Sequence, residues 1–578
     1  MHPQKRVLVV VGVFAIAAWA VVMRCLHLLN PDHYYILSPD SHFFHWQVSR
    51  LLSSQAIPLT WHSGLTYPLL YAAKTISLIS GMTSVEALTL AGKLMPPALG
   101  AVSVLAIYLA ASRMYSQRVG LWAAFTWAIL GTAVFVQTAG YLDRDGLSIL
   151  LLMTSVFLFH FSGEWHFKVG GKDIGWFMVA MAVIVIEALL FLEWLWLGAV
   201  ILLTVLTASV AMDVAVNFLL RSAQSLAGEM TGTALLRRFL SDGAAAVRQS
   251  NWRPLVLIGA LSLVGGMIYP GLHLMLQTAA ELAISSSSGT SGVAELQPVS
   301  MGDLYGYGIV IVPLAVGVYI AVTKRRKADL LCLSWFVSLL FLGIFANRLF
   351  LYAVPASCVL CGLGLASIFR FKGVSSVPGH INIGGDMLPV PSPRFLRIVL
   401  AVLGLVVLLP VPTYLAYHIG DNDRIAANTE WQAALAFLKE ETAEDSVVMS
   451  WWDYGYWILD LADRRPVVDN GYYGWDEKRL VDIGLAYCTD EPSQALQVMR
   501  KYGADYLVFS RMELEVVPVI SQYGLDEAYG DGGSVPKELR PSLYYQSLYG
   551  NFQSGGGLRR AYPSPEVTDP VVVILEVE

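Results

Sequence analysis

Charge is scarce in this chain. Only 14% of its 578 residues are Asp, Glu, Lys or Arg, while 56% are apolar. An ordinary soluble multidomain protein carries about a quarter of its residues as charges, so that class is excluded. A basic excess is also missing: the formal net charge is −6, and nothing favours a nucleic-acid partner. Cysteine is too rare for a disulfide framework, with five in all. Cys25, Cys332, Cys358 and Cys361 fall in or beside apolar segments, where a thiol packs as a small hydrophobe. The C-x-x-C spacing of Cys358 and Cys361 lies inside such a segment and is read as packing; Cys488 stands alone. No small-residue cleavage site closes the apolar run from Val7 to about Leu29, so this run is expected to be an uncleaved first span.

Long apolar runs fill the first 415 or so residues, and runs of roughly 18 or more such residues cross a bilayer. Candidate spans centre near residues 18, 100, 128, 153, 181, 201, 265, 314, 337, 358 and 407. Basic clusters mark the cytoplasmic face. With Lys5 and Arg6 inside, alternate crossings also place inside Arg113, Arg118, Lys168, Lys172, Arg221, Arg237, Arg238, Arg248, Arg253, the run Thr323 to Lys327, and Arg370, Lys372, Arg394 and Arg397. The other face receives residues 30–90, the turn near 140–145, residues 278–305 and everything after about 418. Acids gather there: Asp40, Asp143, Asp145, Glu281 and Glu295. The stretch "ISSSSGTSGVAELQP" opens with a flexible-linker composition and ends near Glu295; a mobile loop over a site is one reading, a solvated connector the other.

These observations predict a polytopic α-helical membrane protein of about 11–13 spans over residues 1–417. A soluble α/β domain over residues 418–578 is expected on the extracytoplasmic side, with the N-terminus cytoplasmic. In the second part "VVMSWW", "RPVVD", "DYLVFS" and "VVVILEVE" have strand patterns. "TEWQAALAFLKEE" and "SQALQVMRKYG" have helical ones, the latter ending at Gly503. No repeat and no Gly-rich phosphate loop occurs in it.

Trp451-Trp452-Asp453-Tyr454-Gly455 is the WWDYG sequence that marks the catalytic subunits of oligosaccharyltransferases: the eukaryotic STT-three, archaeal AglB and bacterial PglB proteins. The chain resembles this family over its whole length. "PDSHFFHW" supplies the expected acid of the first external loop, Asp40. "AGYLDRDG" supplies an acid pair, Asp143 and Asp145, and "GVAELQP" supplies Glu295 of the long external loop. "ANRLFLYAVP" supplies Arg348 at the outer start of a late span. WWDYG, Asp40, the Asp143 and Asp145 pair and Glu295 all fall on the face that the basic clusters leave external.

The resemblance implies a GT-C type fold and transfer of an oligosaccharide from a lipid-linked donor to the Asn side chain of an acceptor polypeptide carrying N-x-S/T. It implies a cofactor, Mn²⁺ or Mg²⁺, held by Asp40, Asp143, Asp145 and Glu295; hard cations take carboxylate oxygens. Asp40 and Glu295 are implied to be catalytic, accepting hydrogen bonds from the acceptor amide, a task for acceptor-only carboxylates. Trp451, Trp452, Asp453 and Met512 are implied to bind the sequon's hydroxyl, and Arg348 the lipid phosphate. The implied partners are the lipid-linked donor, the acceptor polypeptide and membrane lipid, with no nucleic acid, for a monomeric single-subunit enzyme.

There are departures. Many members carry an Arg seven residues before the first acid of the pair; here that position is Val136. Arg144, within the pair, offers another charge. Bacterial members have M-x-x-I in the second sequon motif; Met512 matches, but Glu515 stands where Ile is expected. Competing readings are another GT-C glycosyltransferase acting on a hydroxyl or lipid, and an ion or solute transporter.

Overall fold

The computed structural model describes residues 3–30, 36–55, 65–161, 196–226, 310–344, 347–369, 410–418, 427–470, 477–529, 534–550, 552–564 and 566–578, with short pieces within 168–183, 241–256 and 380–389. Among these, five helices are long and apolar enough to cross a membrane: Arg6–Leu29, Ser84–Met114, Arg144–Phe161, Thr204–Arg221 and Leu349–Ile368. Ile311–Lys324 is a shorter apolar helix. The expected spans near 181, 265 and 407 lie mostly outside the described residues. The one near 128 is a short helix, Gln117–Ile129, that stops at Leu130.

The N-terminal half sets up the site. Helix α1 (Pro3–Cys25) is followed by α2 (Pro39–Leu52), α3 (Thr66–Ser80), α4 (Ser84–Met114), α5 (Gln117–Ile129), α6 (Gly131–Phe135) and α7 (Arg144–Phe161). Thr83 caps α4 in a reciprocal box with Glu86, which satisfies donors that a helix start leaves open. Arg24, at the end of α1, is fully buried. Its guanidinium donates to the carbonyls of Trp127, Ala128 and Ala133 and to Gln137 Oε1. These carbonyls belong to the end of α5 and to α6, where α5 would otherwise leave acceptors unpaired. Gln137 passes the contact on, donating to Gly146 O at 3.2 Å in the first turn of α7. Val136, at the position where many members of the resembled family carry Arg, is buried. Cys332, Cys358 and Cys361 are buried free thiols, in line with the packing expectation.

The C-terminal part is α/β. Strands β1 (Val447–Met449), β2 (Arg465–Pro466), β3 (Tyr506–Ser510), β4 (Ser554–Gly555), β5 (Leu558–Tyr562) and β6 (Val572–Val577) form one sheet in the order β2-β1-β3-β6-β5-β4. β1 runs parallel to β2 and β3; β6 is antiparallel to β3 and β5. The helices Thr429–Glu441 and Pro492–Tyr502 match the sequence patterns, and Gly503 ends the second at φ +62°, the left-handed value that favours glycine there. "VVMSWW" and "RPVVD" form shorter strands than their patterns suggest. After Met449 the chain turns at once into the 3₁₀ turn Trp452–Tyr454 and the π-helical turn Ile458–Ala462.

Candidate active site

The acids of two loops are brought together by backbone pairing. Leu37 bridges Tyr141 in parallel, with Leu37 N donating to Gly140 O at 2.9 Å. Leu142 N donates to Ser41 Oγ at 2.7 Å. Gly140 has φ +82°, which only glycine adopts without strain. Ser38 also sits at positive φ, +70°, just before Pro39 opens α2. Proline suits that first helical position, and Asp40 follows it in the first turn, where the helix dipole favours an anion.

Arg144 is the local counter-charge. Its Nη2 lies 3.6 Å from Asp40 Oδ2 and its Nε 3.9 Å from Asp143 Oδ1. Asp145 is held differently: the buried Tyr352 donates its hydroxyl to Asp145 Oδ1 at 2.8 Å. Tyr352 follows the short helix Asn347–Leu351, on which Arg348 stands. Glu295 lies outside the described residues. The donor chemistry of Asp40, Asp143 and Asp145 suits a hard cation. Among the described residues, however, no group of three or more His, Cys, Asp or Glu side chains is arranged to hold a metal ion, and Arg144 already neutralises two of the acids.

WWDYG lies on the other side of the site. Trp451 is buried in the core of the α/β domain, Trp452 packs on its edge with Met512, and Asp453 is half-buried. The backbone N–H of Trp451 donates to Tyr487 Oη at 2.9 Å, and Tyr487 Oη donates to Val508 O at 2.6 Å. Glu513 Oε1 lies 3.1 Å from the same hydroxyl, and Glu513 Oε2 accepts from Ser510 N at 2.8 Å. A tyrosine has one hydroxyl proton. That one proton is shared between two acceptors, Val508 O and Glu513 Oε1. Burial, with the nearby Asp453 charge adding to it, raises the Glu513 carboxyl well above its ordinary range; the Ser510 and Tyr487 hydrogen bonds oppose this without cancelling it.

Helix α2 docks this domain against the acids. Phe43 stacks on Tyr456 with ring centroids 4.6 Å apart, and Trp46 and Leu459 complete the buried cluster. Asp460 accepts from two histidines of α2, His42 Nδ1 at 2.6 Å and His45 Nδ1 at 2.8 Å. Asn470 Nδ2 donates to Asp40 Oδ1 at 3.1 Å. Sequence reasoning assigned no role to His42, His45, Asp460, Asn470 or Tyr352. The i, i+3 histidines of "PDSHFFHW" were visible, but their shared partner lies more than four hundred residues away.

No family model matches the chain. The subunit stt-3 of the dolichyl-diphosphooligosaccharide–protein glycosyltransferase of Caenorhabditis elegans is 25% identical over 313 residues, 46% of this chain and 40% of that protein. Dolichyl-phosphooligosaccharide-protein glycotransferase 1 of Pyrococcus horikoshii is 24% identical over 548 residues, 81% of this chain and 52% of that protein. The chain thus spans about half, or less, of the length of the curated relatives it matches. The archaeal oligosaccharyltransferase AglB from Archaeoglobus fulgidus, solved with an inhibitory peptide and a dolichol-phosphate, superposes with a TM-score of 0.69 at 16% identity, covering 97% of this chain and 80% of that one. By sequence the chain is similar to these glycotransferases, and by fold to the archaeal oligosaccharyltransferase. Its fold is that of the archaeal protein, a helical membrane region followed by an α/β region. That A. fulgidus protein has also been solved with Zn and sulfate, at a TM-score of 0.62, 16% identity, and coverage of 95% and 78% of the two chains.

Proposed function

We propose that the chain is an oligosaccharyltransferase that moves an oligosaccharide from a polyprenyl-(pyro)phosphate carrier to the Asn side-chain amide of N-x-S/T sequons. The observation that carries this reading is the docking of α2, which sets Asp40 against the domain bearing WWDYG. An amide nitrogen is a poor nucleophile because its lone pair is delocalised into the C–N bond. The acceptor must therefore be held tightly and its N–H groups met by strong acceptors. Asp40, together with Glu295, serves that need as an acceptor-only group. Trp452 and Asp453 stand at the domain edge, where an indole N–H and a carboxylate meet a sequon hydroxyl. A site built to bond a hydroxyl rejects a partner without one, because its own polar groups would go unpaired. Met512 forms the apolar side, and Arg348 is assigned to the lipid phosphate. Trp451 braces the turn from within the core.

A divalent cation, Mn²⁺ or Mg²⁺, held by Asp40, Asp143, Asp145 and Glu295, would neutralise charge on the leaving phosphate. The enzyme is read as a monomeric, multi-pass cell-membrane protein, its N-terminus cytoplasmic and its C-terminal domain extracytoplasmic. The test uses purified full chain, a lipid-linked oligosaccharide and a peptide carrying N-x-T, with glycopeptide scored by mass. Transfer that stops on chelation, in Asp40→Ala and on an N→Q peptide is the expected result. Glycan appearing on a hydroxyl or lipid instead would replace this reading.

A further inference from the structure

Asp40 is gripped from two directions. Arg144, from the membrane-region turn, faces its Oδ2 at 3.6 Å. Asn470, from the C-terminal domain, donates to its Oδ1 at 3.1 Å. The orientation of that amide follows from chemistry. A carboxylate accepts only, so the Asn470 nitrogen must face it; the reversed amide would set oxygen against oxygen. The consequence is visible on the other side: Asn470 Oδ1 is shielded from solvent and has no hydrogen-bond partner among the described residues.

The residue before Asn470 ties this contact to the sequon motif. A Cβ added at Gly455, the glycine of WWDYG, would come within 2.4 Å of Asp469 Cβ and 2.5 Å of Val468 O. Gly455 is thus required because the segment 468–470 lies directly on it. The segment packed on WWDYG at Gly455 therefore continues to Asn470 and ends on the carboxylate of the first external loop.

We propose that Asn470 is a positioning residue for the transfer reaction, fixing the Asp40 carboxylate in register with the sequon-binding turn. This rests on the function proposed above. Asn470→Ala removes the donor. Turnover should fall by roughly tenfold to a hundredfold, the span expected for one hydrogen bond to a charged group, with the peptide KM little changed. Asn470→Leu, close in size to asparagine, removes the donor while filling the space and should lose turnover to the same extent. Asn470→Gln keeps an amide N–H₂ and should regain part of it. A packing defect would reverse that order.

A second arm needs no activity. In the detergent-solubilised chain, Asn470→Leu, Asp40→Ala and the double variant should lower the melting temperature non-additively, because either single change breaks the same contact. If the wild type makes no glycopeptide, the function fails while the melting arm still judges the contact. If the wild type is active but Asn470→Ala and Asn470→Leu match its turnover, the positioning role is overturned. Additive melting shifts overturn the contact itself.

Discussion

Replacing Asp460 should loosen the interface between α2 and the C-terminal domain, and the loss should depend on pH. The Asp460 side chain is only 4% exposed, and those of His42 and His45 are 3% and 15% exposed, so solvent screens these contacts little. Each hydrogen bond to the carboxylate is worth about 1.5–3 kcal/mol. The two share one acceptor and do not simply add; removing the partner of a buried pair costs about 3–5 kcal/mol, and Asp460→Ala should fall in that range. Burial alone would lower the His45 pKa, but the charge and hydrogen bond of Asp460 together raise it above 6.5. Burial likewise pushes Asp460 up, and the two histidines outweigh it to hold the carboxyl below its ordinary value of 3.8. The raised histidine contributes stability that is complete below its unfolded value of about 6.5 and is lost as pH rises through its folded value. The depressed carboxyl contributes above about 3.9 and is lost as pH falls. The clamp is therefore strongest from about pH 4 to about 6.5 and weakens toward alkali. Amide hydrogen exchange in α2, corrected for intrinsic rates, should show protection falling from mildly acidic to alkaline pH in the wild type. In Asp460→Ala protection should be low and flat. Equal protection in both proteins across that range would refute the clamp.

Three further outcomes can be checked. Trp452→Ala and Asp453→Ala should raise the acceptor KM by one to two orders of magnitude, as loss of about 1.5–3 kcal/mol predicts. Trp451→Ala should in addition lower the melting temperature, because deleting a fully buried Trp costs about 3–5 kcal/mol; equal melting in all three would contradict its core position. Glu513 keeps its proton in the fold beyond the pH at which an unfolded Glu loses it, so the native state binds more protons and stability declines as pH rises. Glu513→Gln should flatten that slope with the fold intact, and an unchanged slope would show that Glu513 is ionised. Finally, the stretch from Glu295 to Lys324 contains no Arg, so an acidic residue two before the acceptor Asn should not be demanded; peptides differing by Asp or Ala there should differ less than tenfold, roughly 1.4 kcal/mol.

How much was legible in the sequence depended on the range of the interaction. The helix Thr429–Glu441 and the Gly503 stop follow from local periodicity and a cap, and both appear as expected. WWDYG and the acids were visible as short strings. The shortened strands were not: β1 ends at Met449 because the following aromatics fold into the core as tight turns, which apolar content alone does not distinguish from extended chain. Nor was Arg144 assigned its pairing with Asp40, since which way a side chain between two acids points is set by the Leu37–Tyr141 bridge. Arg24 carried no assignment in the sequence. Its role appears only when α5, a hundred residues on, ends against it. Tyr487, Glu513 and Asn470 carry no motif, and their functions lie in contacts across the fold.

The interface over α2 divides adhesion from register. The cluster of Phe43, Trp46, Tyr456 and Leu459 removes apolar surface from water, and that drive is non-directional: it would hold the helix to the domain in several rotated or slid positions with little difference in area. Aromatic stacking narrows the choice, but the polar contacts settle it. One carboxylate facing two histidines one turn apart fits a single rotation of α2. The Asn470 amide then meets Asp40 at the start of the same helix. A slide by one helical turn, about 5.4 Å, would break all three hydrogen bonds while leaving much of the apolar contact. The polar set thus makes the placement of Asp40 against the WWDYG domain an all-or-none state. Conservative changes in the apolar cluster should therefore be tolerated better than changes of equal size at His42, Asp460 or Asn470.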